Sequence, residues 1–154
     1  FLISSTGIVF CPTPYDIHLM TQNTLYSETT RAITILVEPI YLEEQSVPDE
    51  NHYVWAYHVR IENHGEETVQ LLTRHWRIMD QGGNVQEVKG DGVVGEQPIL
   101  VPGDAFEYTS GTPLGTPSGI MSGSYHMQTN DGDEFDAVVP AFSLDCPGQM
   151  AAVH

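Results

Sequence analysis

The chain has 154 residues, enough for one domain, and sets 21 Asp and Glu against 5 Lys and Arg for a formal charge of -16. Such a surface repels phosphate backbones and anionic membranes, so neither nucleic acid nor membrane is expected as a partner. Charged residues make up 17% of the chain, below the roughly 25% usual for globular domains, which points to a β-rich protein with many Ser, Thr, Gly and Tyr on its surface. No apolar run approaches the ~18 residues of a membrane span. Cys11 and Cys146 lie far apart without metal-ligand spacing and read as reduced thiols of a cytoplasmic protein.

Residues 1–25 form an N-terminal extension in which Met20 offers a natural start. The stretch lacks the basic region and cleavage site of a signal peptide. A domain over 26–146 follows, with a C-terminal tail over 147–154. From Arg31 the chain alternates with period two, placing Ile33, Ile35 and Val37 on one face of a strand near whose end Pro39 is tolerated. The acidic segment Glu43–Asn51 reads as an exposed loop. The run His52–Glu62 is the strongest predicted strand, with Tyr53, Trp55, Tyr57, Val59 and Ile61 as its core face. After a turn at Asn63–Glu67, Thr68–Asp80 changes phase: Val69 and Leu71 point one way, Leu72, Arg74, Trp76 and Ile78 the other. A β-bulge near Leu71–Thr73 reconciles the two. A hairpin turn at Asp80–Asn84 precedes shorter strands at Val85–Val88, Pro98–Leu100, Phe106–Ser110, Gly119–Thr129 and Phe135–Phe142. No stretch keeps a helical period. The predicted class is all-β, an Ig-like or fibronectin-type-III-like β-sandwich.

Several segments carry a more specific signal. They are Val69–Asp80, Val85–Pro98, Pro102-Gly103, Tyr108–Gly111, Gly119–Tyr125 and Pro140–Leu144. Together, and in this order, they resemble the ApaG family over about Tyr26–Leu144. The resemblance implies an Ig-like or fibronectin-type-III-like domain and a role in binding rather than catalysis. It also implies a link to divalent cobalt and magnesium handling and to diadenosine tetraphosphate metabolism. It brings no catalytic residue and no cofactor to carry over.

Within the resembling region, Gly90-Asp91-Gly92-Val93-Val94-Gly95 fits G-x-G-x-x-G, which the resemblance associates with pyrophosphate. Such loops hold phosphate when they follow a strand and open a helix, so that N–H groups and the helix dipole converge. Here Glu96-Gln97-Pro98 follows and no helical pattern begins. Two readings stand: glycines that permit unusual backbone angles, or a pyrophosphate loop formed by Lys89, Gly90, Gly92 and Gly95 with Arg74 and Arg77. Arg74 itself reads either as a carboxylate or phosphate ligand or as one half of an internal ion pair. A protein-interaction surface is expected around Val93, Val94, Ile99 and Leu100.

No metal site is assigned. His52 and His58 stand roughly 20 Å apart along a strand, and Asn130–Glu134 lacks the ligand pattern of an EF-hand. No nucleophile sits in a recognised catalytic context, so an enzyme is not expected. The expected function is a binding or regulatory module for an unidentified protein partner, with homodimerisation open. The alternative is a sensor for a nucleotide or divalent cation.

Overall fold

Side chains that alternate between water and core build this molecule from strands. The computed structural model describes residues 2–3 and 24–147. Most of the N-terminal extension, Cys11 and the tail beyond Pro147 lie outside the described residues. The strands are β1 (Leu2–Ile3), β2 (Tyr26–Thr30), β3 (Ile33–Tyr41), β4 (Tyr53–Asn63), β5 (Val69–Asp80), β6 (Val85–Asp91), β7 (Ile99–Leu100), β8 (Ala105–Leu114), β9 (Ser118–Thr129) and β10 (Glu134–Asp145). They form two antiparallel sheets, β1-β8-β4-β3-β2 and β10-β9-β5-β6, with the short β7 also paired to β5. The expected all-β sandwich is what the chain forms.

The core lies between the sheets. Ile33, Ile35 and Val37 from β3 and Trp55, Tyr57, Val59 and Ile61 from β4 are buried, as their alternation predicts, while Tyr53 is only partly covered. Trp76 from β5 stands edge-on to Tyr125 (centroids 6.0 Å apart) and Phe142 (6.1 Å), the geometry the aromatic quadrupole favours. Pro39 falls where β3 has outrun β2, whose last pair is Tyr26 with Val37, so its missing N–H deprives no neighbour. At the far side of the sandwich the two sheets are stitched by side chains. Thr30 Oγ1 accepts the Val138 N–H (3.2 Å) and the Tyr26 hydroxyl accepts that of Ser143 (3.3 Å).

Two details depart from the sequence reading. The Glu43–Asn51 loop contains two short 3-10 turns, Glu43–Gln45 and Pro48–Glu50. The side chain of Ser46 between them bonds the Leu42 carbonyl and the Val54 N–H. Next, β2 is an additional edge strand, joined to β3 by a two-residue turn in which Arg31 (φ 47) and Ala32 (φ 68) both take left-handed angles. Such turns usually carry Asn-Gly or Asp-Gly, so nothing in Arg-Ala announced it.

Candidate functional site

The phase change in β5 sets the geometry of the glycine motif. Between Leu71 and Thr73 the pairing of β5 with β9 slips by one residue, the bulge the alternation predicts. The extra residue, Leu72, turns its carbonyl toward the other edge, where it accepts the Gly92 N–H (2.9 Å) and the side-chain amide of Gln97 (2.9 Å). The bulge therefore anchors the segment that follows β6.

That segment is a tight turn. Val93 and Glu96 exchange both main-chain hydrogen bonds, at 2.8 and 2.9 Å. Val94 (φ 43) and Gly95 (φ 80) between them take positive angles, the pattern of a type I′ turn. Val94 is a β-branched residue where such residues rarely stand. Gly92 (φ 65) is fixed more tightly, because a Cβ there would meet the Glu96 carbonyl oxygen at 2.3 Å. The Val93 side chain is buried and completes the core.

Arg74 clamps the turn from within. In step with Trp76 and Ile78 it faces the interior, and its Nη1 donates to the carbonyls of Asp91 (3.0 Å) and Gly92 (2.9 Å). Gly90 leaves room for the guanidinium. Thus the loop presents carbonyl oxygens to an arginine, and the N–H groups of Gly92, Val93 and Glu96 are taken up by the protein itself. The Arg74 charge also bears on a buried tyrosine cluster. Burial raises the Tyr57, Tyr108 and Tyr125 hydroxyls above the ordinary range, with Arg74 offsetting part of the effect. Tyr108 and Tyr125 satisfy each other through a hydroxyl–hydroxyl bond.

The residues expected to hold pyrophosphate are thereby divided. Arg74 bonds the loop from the interior side, whereas Lys89 and Arg77 lie exposed on the outer face of the β5–β9 sheet. Of the residues expected at a protein surface, Val93 and Leu100 are instead core side chains. They close the sandwich under the turn, so that expectation narrows to the partly covered Val94 and the exposed Ile99.

The two outer faces differ in character. On the β4 side, His64, Glu62, Arg60, Glu107 and His58 form an unbroken ladder of bonds between 2.6 and 2.8 Å. Arg60 and His64 hold the Glu62 carboxyl below its usual range, and His58 and Arg60 do the same for Glu107. On the β5 side, a shallow cavity of about 480 Å³ has Arg74, Lys89 and Gly90, three of the residues expected at a pyrophosphate loop, in its wall together with His75, His126 and Asp136. His126 there bonds Glu134 through Nε2 (2.5 Å) and Asp136 through Nδ1 (2.9 Å). Two acceptors require both ring N–H groups, which raises the pKa of this imidazole. His75 bonds Glu87 at 2.6 Å. Among the described residues no group of three His, Cys, Asp or Glu is placed to hold a metal ion.

Farther along the same face comes a feature sequence reasoning missed. Val85, Met79 and Ile120 are direct cross-strand neighbours on β6, β5 and β9, with relative exposures of 46%, 41% and 46%. Arg77 lies one step along β5 on the same face, exposed, and among the described residues it has no carboxylate within ion-pair distance. The only signal in the sequence was apolar residues at the outward phase of three separate strands. Their adjacency depends on register.

Comparison with known proteins gives a consistent picture. An ApaG-domain family model matches residues 43–129. The chain is 66% identical over 130 residues to Protein ApaG of Paramagnetospirillum magneticum and 62% identical over 130 residues to that of Parvibaculum lavamentivorans. In each case 84% of this chain and all of the relative are covered. A crystal structure of an ApaA protein from Bordetella pertussis superposes with a TM-score of 0.74 at 49% identity, covering 75% of this chain and 94% of that one. The family model and these relatives place the chain in the ApaG family.

Proposed function

We propose that this protein is a non-enzymatic binding module that recognises another protein through the outer face of its β5–β9 sheet. The observation that carries this reading is the exposed apolar row Val85–Met79–Ile120, which crosses three strands with Arg77 beside it. Single exposed apolar residues are ordinary, but contiguous ones on a strand face mark a surface that gains by being covered. The opposite face carries its histidine–glutamate–arginine ladder, and its apolar side chains Leu42, Val54 and Ala56 are buried rather than exposed. A formal charge of -16 steers partners bearing basic patches toward the molecule, and the row then supplies contact area.

This reading is favoured over a nucleotide site because Arg74 and three amides of the glycine turn are already engaged internally. A link to divalent cations or diadenosine tetraphosphate would on this account run through the protein partner. The test compares partner capture by the natural sequence with that by Met79→Asp and Ile120→Asp, with Thr34→Asp on the opposite face as control. Loss confined to the first two variants is expected, at unchanged thermal stability. Retention of every partner by both would sink the proposal.

A further inference from the structure

The edge of the β5–β9 sheet carries a second message, independent of the apolar row. Strand β6 pairs with β5 through Asp91–Thr73 to Val85–Met79, and among the described residues nothing pairs with its other edge. The hydrogen-bond phase is fixed by the flanking bonds from Gly92 to Leu72 and from Asp80 to Asn84. Even-numbered residues of β6 turn their N–H and C=O toward β5. The odd-numbered Val85, Glu87, Lys89 and Asp91 send theirs outward.

A free strand edge is a template for another strand, and proteins usually blunt it with charge. Here the charges are ordered rather than merely present. Glu87 and Lys89 flank Val88, and all three lie in the middle of a strand of 7 residues. Under a twofold axis through Val88, an antiparallel copy of β6 sets Glu87 opposite Lys89 of the second molecule, and Lys89 opposite its Glu87. These are hydrogen-bonded pairs of outward-facing residues, so the register that matches charge also matches donors with acceptors. Val88, half-buried at the rim of the core, meets its own copy on the axis. Among the described residues Lys89 has no carboxylate within ion-pair distance, in a chain with 21 carboxylates.

We propose that two copies of this chain associate edge to edge through β6, antiparallel and centred on Val88, joining their β5–β9 sheets into one continuous sheet. The interface is isologous, as twofold symmetry demands. Because each copy carries a charge of -16, net repulsion opposes the contact. Association therefore tightens as salt is raised from low levels to about 0.15 M, where the Debye length falls to about 8 Å. Of the apolar row only Val85 lies on this edge, so Met79→Asp and Ile120→Asp, on the inner strands, leave the dimer intact whether or not the row binds a partner.

Sedimentation equilibrium on the full chain tests this, with circular dichroism as a check on folding. A reversible dimer is expected. Glu87→Lys and Lys89→Glu alone should each weaken it at least about tenfold, and the double reversal should restore it to within about threefold. Lys89→Pro removes an outward N–H without touching a bond to β5, and should abolish the dimer in a folded chain. A monomer at every concentration up to about 1 mM would overturn the proposal, since so weak a contact is worth little. So would a dimer indifferent to the charge reversals and to Lys89→Pro.

Discussion

The guanidinium of Arg74 occupies the space that a side chain on Gly90 would need: a Cβ built there would stand 2.9 Å from Nη1. The arginine uses this space to hold the carbonyls of Asp91 and Gly92. Gly90→Ala should therefore destabilise the protein by about 1–2 kcal/mol by displacing charged hydrogen bonds. In an Arg74→Met background the same change should be neutral or mildly stabilising, because Ala suits a strand better than Gly. Urea denaturation of the two single variants and the double variant reads this coupling directly.

The other two glycines of the motif should not behave alike. At Gly92 a Cβ meets the Glu96 carbonyl oxygen at 2.3 Å, whereas at Gly95 it meets nothing within 4 Å. Gly95→Ala bears only the penalty of a positive φ, about 1 kcal/mol. Gly92→Ala bears that penalty and must also open the turn, and should lose about 3 kcal/mol or more. Equal effects in chemical denaturation would mean that the turn is not held as described.

Tyr108 and Tyr125 are buried and bond each other's hydroxyls across the core. Tyr125→Phe leaves a buried hydroxyl on Tyr108 short of a partner and should destabilise the fold by about 1–3 kcal/mol. The double Tyr→Phe variant should lose clearly less than the two single effects combined, as a double-mutant cycle would register.

His126 gives a pH signature. Its bonds to Glu134 and Asp136 raise its folded pKa above the unfolded value of about 6.5. Stabilisation from a raised group is complete below the unfolded pKa and disappears as pH climbs through the folded one. The gap in melting temperature between the natural protein and His126→Gln should accordingly be larger near about pH 6 than near about pH 9. Glu62, Glu87 and Glu107 are lowered instead, each chiefly by a hydrogen bond from a basic neighbour. Their contribution stands above the unfolded carboxylate pKa and is lost as pH falls through the folded values, so it shapes the acid limb.

Much of the sandwich was legible because burial imposes period two on each strand, and a one-residue slip in β5 leaves a visible change of phase at Leu71–Thr73. What the sequence hid depends on pairing or on backbone angle. The Arg31–Ala32 turn carries neither Asn nor Gly, and β2 has three exposed residues in the middle of its five. The interior fate of Val93 and Leu100 followed from a turn whose direction is set by Arg74 and Leu72, both remote in sequence. Asn63 read only as the first residue of a turn. Yet it is 2% exposed and its amide ties the carbonyls of Glu67 and Leu100 together. The apolar row was invisible for the same reason, since Val85, Met79 and Ile120 become neighbours only through register.

The central claim is that this row is a recognition surface, and site-specific photocrosslinking tests it most directly. A photoreactive residue placed at Ile120 in the full chain, and separately at Thr34 on the opposite face, reports which face touches protein in the cell. The account predicts a discrete protein adduct from position 120 that Met79→Asp removes, and none from position 34. Equal adducts from both positions, or an adduct at 120 indifferent to Met79→Asp, would contradict it.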